Sequence, residues 1–145
     1  MPDGVRILVL NCGDPIDLEC EHALRLGVTI WYRVVEAEPP LGPFKTRTAA
    51  WYYDFEDSAG DRLLSYHWHP STQGADKAPH LHVGESLARG PGIALRGVDL
   101  PTGRVALEQM VRLAIEEFDV EPIRHDWAEV LTQSESAFQE WRTWS

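Results

Sequence analysis

Apolar positions along the chain recur first with a period of two and only later with the spacing of a helix. Val5-Arg6-Ile7-Leu8-Val9-Leu10 is a β-type run, stopped by the turn chemistry of Asn11-Cys12-Gly13-Asp14-Pro15. Residues 16–26 suit either an alternating strand or a short helix. Val28 to Val35 is rich in β-branched and aromatic residues and predicts a strand, broken by Pro39-Pro40-Leu41-Gly42-Pro43. From Thr46 to Phe55, Trp51, Tyr53 and Phe55 fall on one face of a strand and Ala50, Tyr52 and Asp54 on the other. The turn Asp57-Ser58-Ala59-Gly60-Asp61 leads straight into a second strand from Arg62 to His69, so the two predict an antiparallel hairpin. After a polar loop, His80-Leu81-His82-Val83 reads as a short strand returning to the sheet. Residues 84–103 hold five glycines and two prolines and predict a long connection with little regular structure beyond Ile93 to Arg96.

The period then changes. Val105, Leu107, Met110, Val111, Ala114, Ile115 and Phe118 trace a helical stripe, with Thr102 as its expected N-cap. Asp126 with Glu129 three residues on resembles a capping box, and Trp127, Val130, Leu131, Ser134, Phe138 and Trp141 mark the expected buried side of a second helix. Strands first and helices last is the α+β pattern. The expectation is one α+β domain over residues 1–145, with an antiparallel sheet of about four to six strands and two C-terminal helices packed on one face.

Composition narrows the function. At 145 residues, 43% apolar and 25% charged, the chain is ordinary for a globular domain. No run approaches the length of a membrane helix, and the N-terminus lacks the basic region of a secretion signal, so a cytoplasmic location is expected. Cys12 and Cys20 have no metal-binding or redox spacing and are expected to be reduced. The net charge of −10 does not favour nucleic acid as a partner. It is unevenly spread. Residues 1–60 carry ten acids and five bases, residues 105–145 nine acids and three bases, but residues 61–104 only four acids and five bases. The segment that is not acidic is the one that holds four of the six histidines.

Those four are His67, His69, His80 and His82. Each His-x-His pair lies on a predicted strand, where alternation sets both members on one face with their Cα atoms about 7 Å apart. If the two strands are neighbours in register, four imidazoles converge. One use is a divalent transition metal such as zinc, ligated by these histidines with Glu85 or Asp76 as an oxygen donor. A second is metal-free acid–base chemistry on a phosphodiester, with Lys77, Arg104 or Arg62 steadying the phosphate and Tyr66 donating a hydrogen bond. The third is plain packing against Tyr66, Trp68, Trp51 and Tyr53. Pro101-Thr102-Gly103-Arg104 at a helix start offers a further anion site, with ordinary helix initiation as its alternative. The acidic faces of the last two helices are solvated surface or a docking face for a basic partner.

The stretch from Trp51 to Gly84 resembles the TumE-like toxins of bacterial toxin–antitoxin pairs. The order of elements carries the resemblance: the aromatic strand Trp51-Tyr52-Tyr53-Asp54-Phe55, the Asp57–Asp61 turn, the tyrosine strand Leu64-Ser65-Tyr66-His67 and the closing Pro79-His80-Leu81-His82-Val83-Gly84. Trp68, His69 and Leu81 depart from the residues usual in that family, and the last 60 residues fall outside the match. The resemblance implies a cytoplasmic toxin module with a DNA-binding antitoxin protein as partner, and it favours the four histidines as the functional group. The leading expectation is therefore a toxin-like, histidine-dependent nuclease acting on RNA or another phosphate-containing substrate. A non-catalytic interaction module and a metal-dependent hydrolase outside any toxin system are the alternatives.

Overall fold

A computed structural model describes residues 4–40, 42–69, 78–90, 93–94 and 100–141. The period-two segments form a seven-stranded antiparallel sheet: β1 (Arg6–Val9), β2 (Ile16–Asp17), β3 (Arg25–Glu36), β4 (Phe44–Glu56), β5 (Arg62–Trp68), β6 (His80–Val83) and, closing it, the two-residue β9 (Leu100–Pro101). The order across the sheet is β1-β3-β4-β5-β6-β9, with β2 paired beside β3. Two further short strands, β7 (Arg89–Gly90) and β8 (Ile93–Ala94), pair with each other inside the long connection. The ambiguous segment after residue 15 resolves as β2 followed by a turn, not as a helix.

Local chemistry explains the hairpin that carries the histidines. In the β4–β5 turn the Asp57 carboxylate accepts from the Ala59 and Asp61 amides at 2.9 Å each, and Gly60 takes a φ of 85°, a left-handed value that glycine adopts without penalty. At the far end of β6, the Gly84 amide donates to the Leu63 carbonyl at 2.7 Å. A Cβ on Gly84 would lie 1.7 Å from the Arg62 carbonyl oxygen, so only glycine lets the two backbones meet this closely.

The helices α1 (Leu107–Glu117) and α2 (Trp127–Trp141) lie on one face. Leu26, Val28, Trp51, Tyr53 and Phe55 from the sheet pack on Met110 and Ala114 of α1, and Phe118 meets Phe55 edge-on at 5.2 Å. Three sequence-based expectations change here. The N-cap of α1 is Ala106, whose amide donates to the Gln109 side chain at 2.9 Å, rather than Thr102. Thr102 is drawn into the sheet instead, its amide donating to the Pro79 carbonyl at 2.9 Å, so Pro101–Arg104 precedes the helix and does not form its anion-binding end. In α2, Val130 and Phe138 are 39% and 37% exposed rather than buried, because α2 packs mainly on the outer side of α1, where Arg112 reaches Thr132 and Glu108 accepts from Ser134. Ser134 is exposed as well, and the side chain of Trp141 lies outside the described residues. Among the described residues no helix is long and apolar enough to cross a membrane.

Candidate functional site

Register decides what meets what on the face of the sheet away from the helices. Residues paired directly across antiparallel strands share a face. Tyr52 of β4 pairs with His67 of β5, and His67 pairs with His80 of β6, so the three stand in one row across the sheet. The adjacent row joins Asp54, Ser65 and His82. Because Trp51, Tyr53 and Phe55 point to the core, Tyr52 and Asp54 point away from it, and the histidines share their side.

The four rings do converge. The ring centroids of His67 and His80 are 4.3 Å apart, those of His67 and His82 4.6 Å, those of His80 and His82 5.0 Å, and those of His67 and His69 5.5 Å. Candidate ligand atoms of His67, His69 and His80 all lie within 4.8 Å of one another, whereas His82 does not join that set. His80 is the anchor of the group, at 3% exposure. Its Nδ1 lies 2.7 Å from the Ala78 carbonyl oxygen. A carbonyl cannot donate, so Nδ1 carries a proton, and in the neutral ring Nε2 holds the lone pair. That Nε2 faces the Nε2 of His67 at 2.6 Å.

The surroundings are aromatic on one side and polar on the other. Tyr52 stacks on His69 with an interplanar angle of 12° and meets His67 edge-on at 5.6 Å. Burial, and after it the neighbouring Asp54 carboxylate, raises the pKa of the Tyr52 phenol, so it stays a neutral hydroxyl at ordinary pH. Asp54 accepts a 2.5 Å hydrogen bond from the fully buried Ser65 hydroxyl and an ion pair from the Arg62 guanidinium at 3.1 Å. Tyr52, Asp54 and Ser65 complete the site and were not singled out by sequence reasoning. Their signal was present in the alternation of β4 and β5, but which residues they faced depended on register.

Two expected members stand elsewhere. Tyr66 pairs with Tyr53 and Leu81 on the core face, across the sheet from the histidines, because odd and even positions of a strand diverge. Arg104 lies with its Cζ 4.7 Å from the ring centroid of Trp68, itself packed against the core, so it too is on the helix side. Lys77 and Asp76 lie outside the described residues. Glu85 sits in the turn just after β6 and is not part of the three-histidine set. Arg62, by contrast, reaches the histidine face through Asp54. His22 and His125 are exposed and remote in sequence, and Cys12 and Cys20 are unbridged.

Three imidazoles with one nitrogen each turned to a common region can hold a metal ion or pass a proton between neighbours. Comparison with models of protein families, with curated proteins and with solved structures gave no match.

Proposed function

We propose that His67, His69 and His80 form a divalent transition-metal centre, with zinc as the natural ion, and that the protein is a metal-dependent hydrolase. The orientation of His80 carries this reading. Its Nδ1–H is spent on the Ala78 carbonyl, which in the neutral ring leaves the Nε2 lone pair turned to His67. Such an outer bond is what orients ligating histidines in metal sites. Three nitrogen ligands leave one tetrahedral position open, the arrangement of catalytic rather than structural zinc. An ion held there supplies a Lewis acid for a carbonyl or phosphoryl oxygen. Tyr52, neutral and beside both His67 and His69, offers a hydroxyl that can donate to the same substrate.

Metal analysis after zinc loading and desalting tests this. Wild type should retain about one equivalent, and the His67→Ala/His80→Ala variant under about a tenth of that. Retention below about a tenth by correctly folded wild type defeats the proposal.

A second reading rests on the 2.6 Å contact between His67 and His80. Two facing imidazoles that share one proton are a general acid and a general base, which suits metal-free cleavage of RNA by a cytoplasmic toxin module with an antitoxin partner, as the resemblance over residues 51–84 implies. Arg62, held by Asp54, is then a cation available to the phosphate among the described residues. RNA cleavage that survives a chelator and is lost in His80→Ala supports this reading over the first. Cleavage that stops with the chelator supports the metal.

A further inference from the structure

On the opposite side of the sheet from the histidines, β2, the start of β3, α1 and α2 enclose an open apolar groove of about 630 Å³. Leu26, Val111, Ala114 and Ile115 line it from the core side, and Trp127 and Leu131 wall it from α2. Its lip is unusually bare: Ile123 is 98% exposed and Val130 39%. Large aliphatic side chains held at the rim of an apolar cleft mark a binding surface more than a solvated one. The charged members of the rim are mostly acidic. Glu19 and Glu121 border the groove as carboxylates, and Asp17 does so while paired with the Arg25 guanidinium at 3.2 Å. Arg124, the one cation among the described lining residues, is already neutralised by Asp126 through bonds of 2.9 and 2.7 Å.

We propose that this groove docks a basic amphipathic helix of a partner protein. An apolar cleft between two helices takes the i, i+3, i+4 and i+7 side chains of such a helix, roughly two turns of it in a volume of this size. The acidic rim then meets the lysines or arginines that flank the apolar stripe. Charge selects this occupant over the alternatives. A second copy of the chain brings another −10 and a second acidic rim, and like charges face to face oppose association. A free acyl chain fills an apolar cleft but makes no use of three carboxylates at its edge. The C-terminal segment 105–145, nine acids against three bases, extends the same field outward and steers a cationic partner toward the groove. The docking is independent of any metal, because the histidine cluster lies on the other face.

The probe is an 18-residue peptide with leucine at i, i+3, i+4 and i+7 and lysine elsewhere, titrated calorimetrically into the full chain. A matched peptide with glutamate for lysine and a saturated fatty acid serve as comparisons. The basic peptide should bind with one-to-one stoichiometry, at least tenfold more tightly than the acidic one. The double variant Ile123→Ser/Val130→Ser should weaken it about tenfold, since both side chains are exposed at the lip and their loss removes apolar contact without unfolding the protein. Glu19→Gln/Glu121→Gln should weaken binding and flatten its salt dependence. Unchanged binding by the serine variant overturns the proposal, because it shows attraction to acidic surface alone. Equal binding of the acidic peptide, displacement of the basic peptide by the fatty acid, or a protein dimer closed over this groove overturns it equally.

Discussion

Zinc should stabilise this protein by an amount that depends on one nitrogen of one histidine. The perturbation is His80→Ala, and the quantity read is the shift in Tm that zinc produces within each variant, so the fold cost of removing a buried ring cancels. A ligand that binds only the native state adds about 2.7 kcal/mol when present at 100 times its Kd. For a chain of 145 residues, with an unfolding entropy of about 2.1 cal/mol/K per residue, that is a rise of about 9 °C. Loss of one of three ligands weakens the site by at least about 100-fold, which leaves the same zinc concentration near the Kd, an increment of about 0.4 kcal/mol and a rise of only 1–2 °C. His82→Ala should keep most of the wild-type increment, because His82 is outside the three-histidine candidate set. Metal also leaves a geometric trace. Two nitrogens on one tetrahedral zinc stand roughly 3.3 Å apart. The Nε2 atoms of His67 and His80, now 2.6 Å apart, must therefore separate by about 0.7 Å, which a structure of the zinc form would reveal. Differential scanning fluorimetry with zinc, and calcium as control, gives the thermal answer. An identical zinc increment in His80→Ala and wild type refutes the reasoning, as does no increment in wild type.

Two further outcomes follow from the packing. Phe55→Ala should lower stability by about 3–5 kcal/mol in urea titration, since the ring is 1% exposed and fills the space between the sheet and Phe118. Gly84→Ala should destabilise by about 2–3 kcal/mol and also reduce zinc retention, because a Cβ 1.7 Å from the Arg62 carbonyl pushes β6, and with it His80 and His82, out of register. A Gly84→Ala protein as stable as wild type would show that the β5–β6 junction relaxes freely.

The alternation of Trp51, Tyr53 and Phe55 against Tyr52 and Asp54 was legible in the chain, and so was the single-face disposition of each His-x-His pair. Both follow from a side-chain period of two, which is local. The stripe of α1 was legible for the same reason at a period of 3.6. Thr102 was misread because its chemistry suits a cap, yet pairing with Pro79 satisfied its amide in the sheet and the helix began at Leu107. Val130 and Phe138 were misread because an apolar stripe reports that a face seeks cover, not how complete that cover is; Val130 stands at the groove beside α1, and Phe138 at a separate cleft lined by Ile30, Trp51 and Tyr53.

The amino-acid order by itself determined which residues alternate, where the turns fall, and that the only non-acidic segment carries the histidine pairs. Only the tertiary structure decided that Tyr52, His67 and His80 form one row, that Arg104 belongs to the other side, and that His80 spends its Nδ1–H on Ala78. The physical reason is register. A shift of one residue between β5 and β6 sends every side chain to the opposite face, and that register depends on contacts closed across a long loop and on the close backbone approach at Gly84, neither of which a local pattern contains.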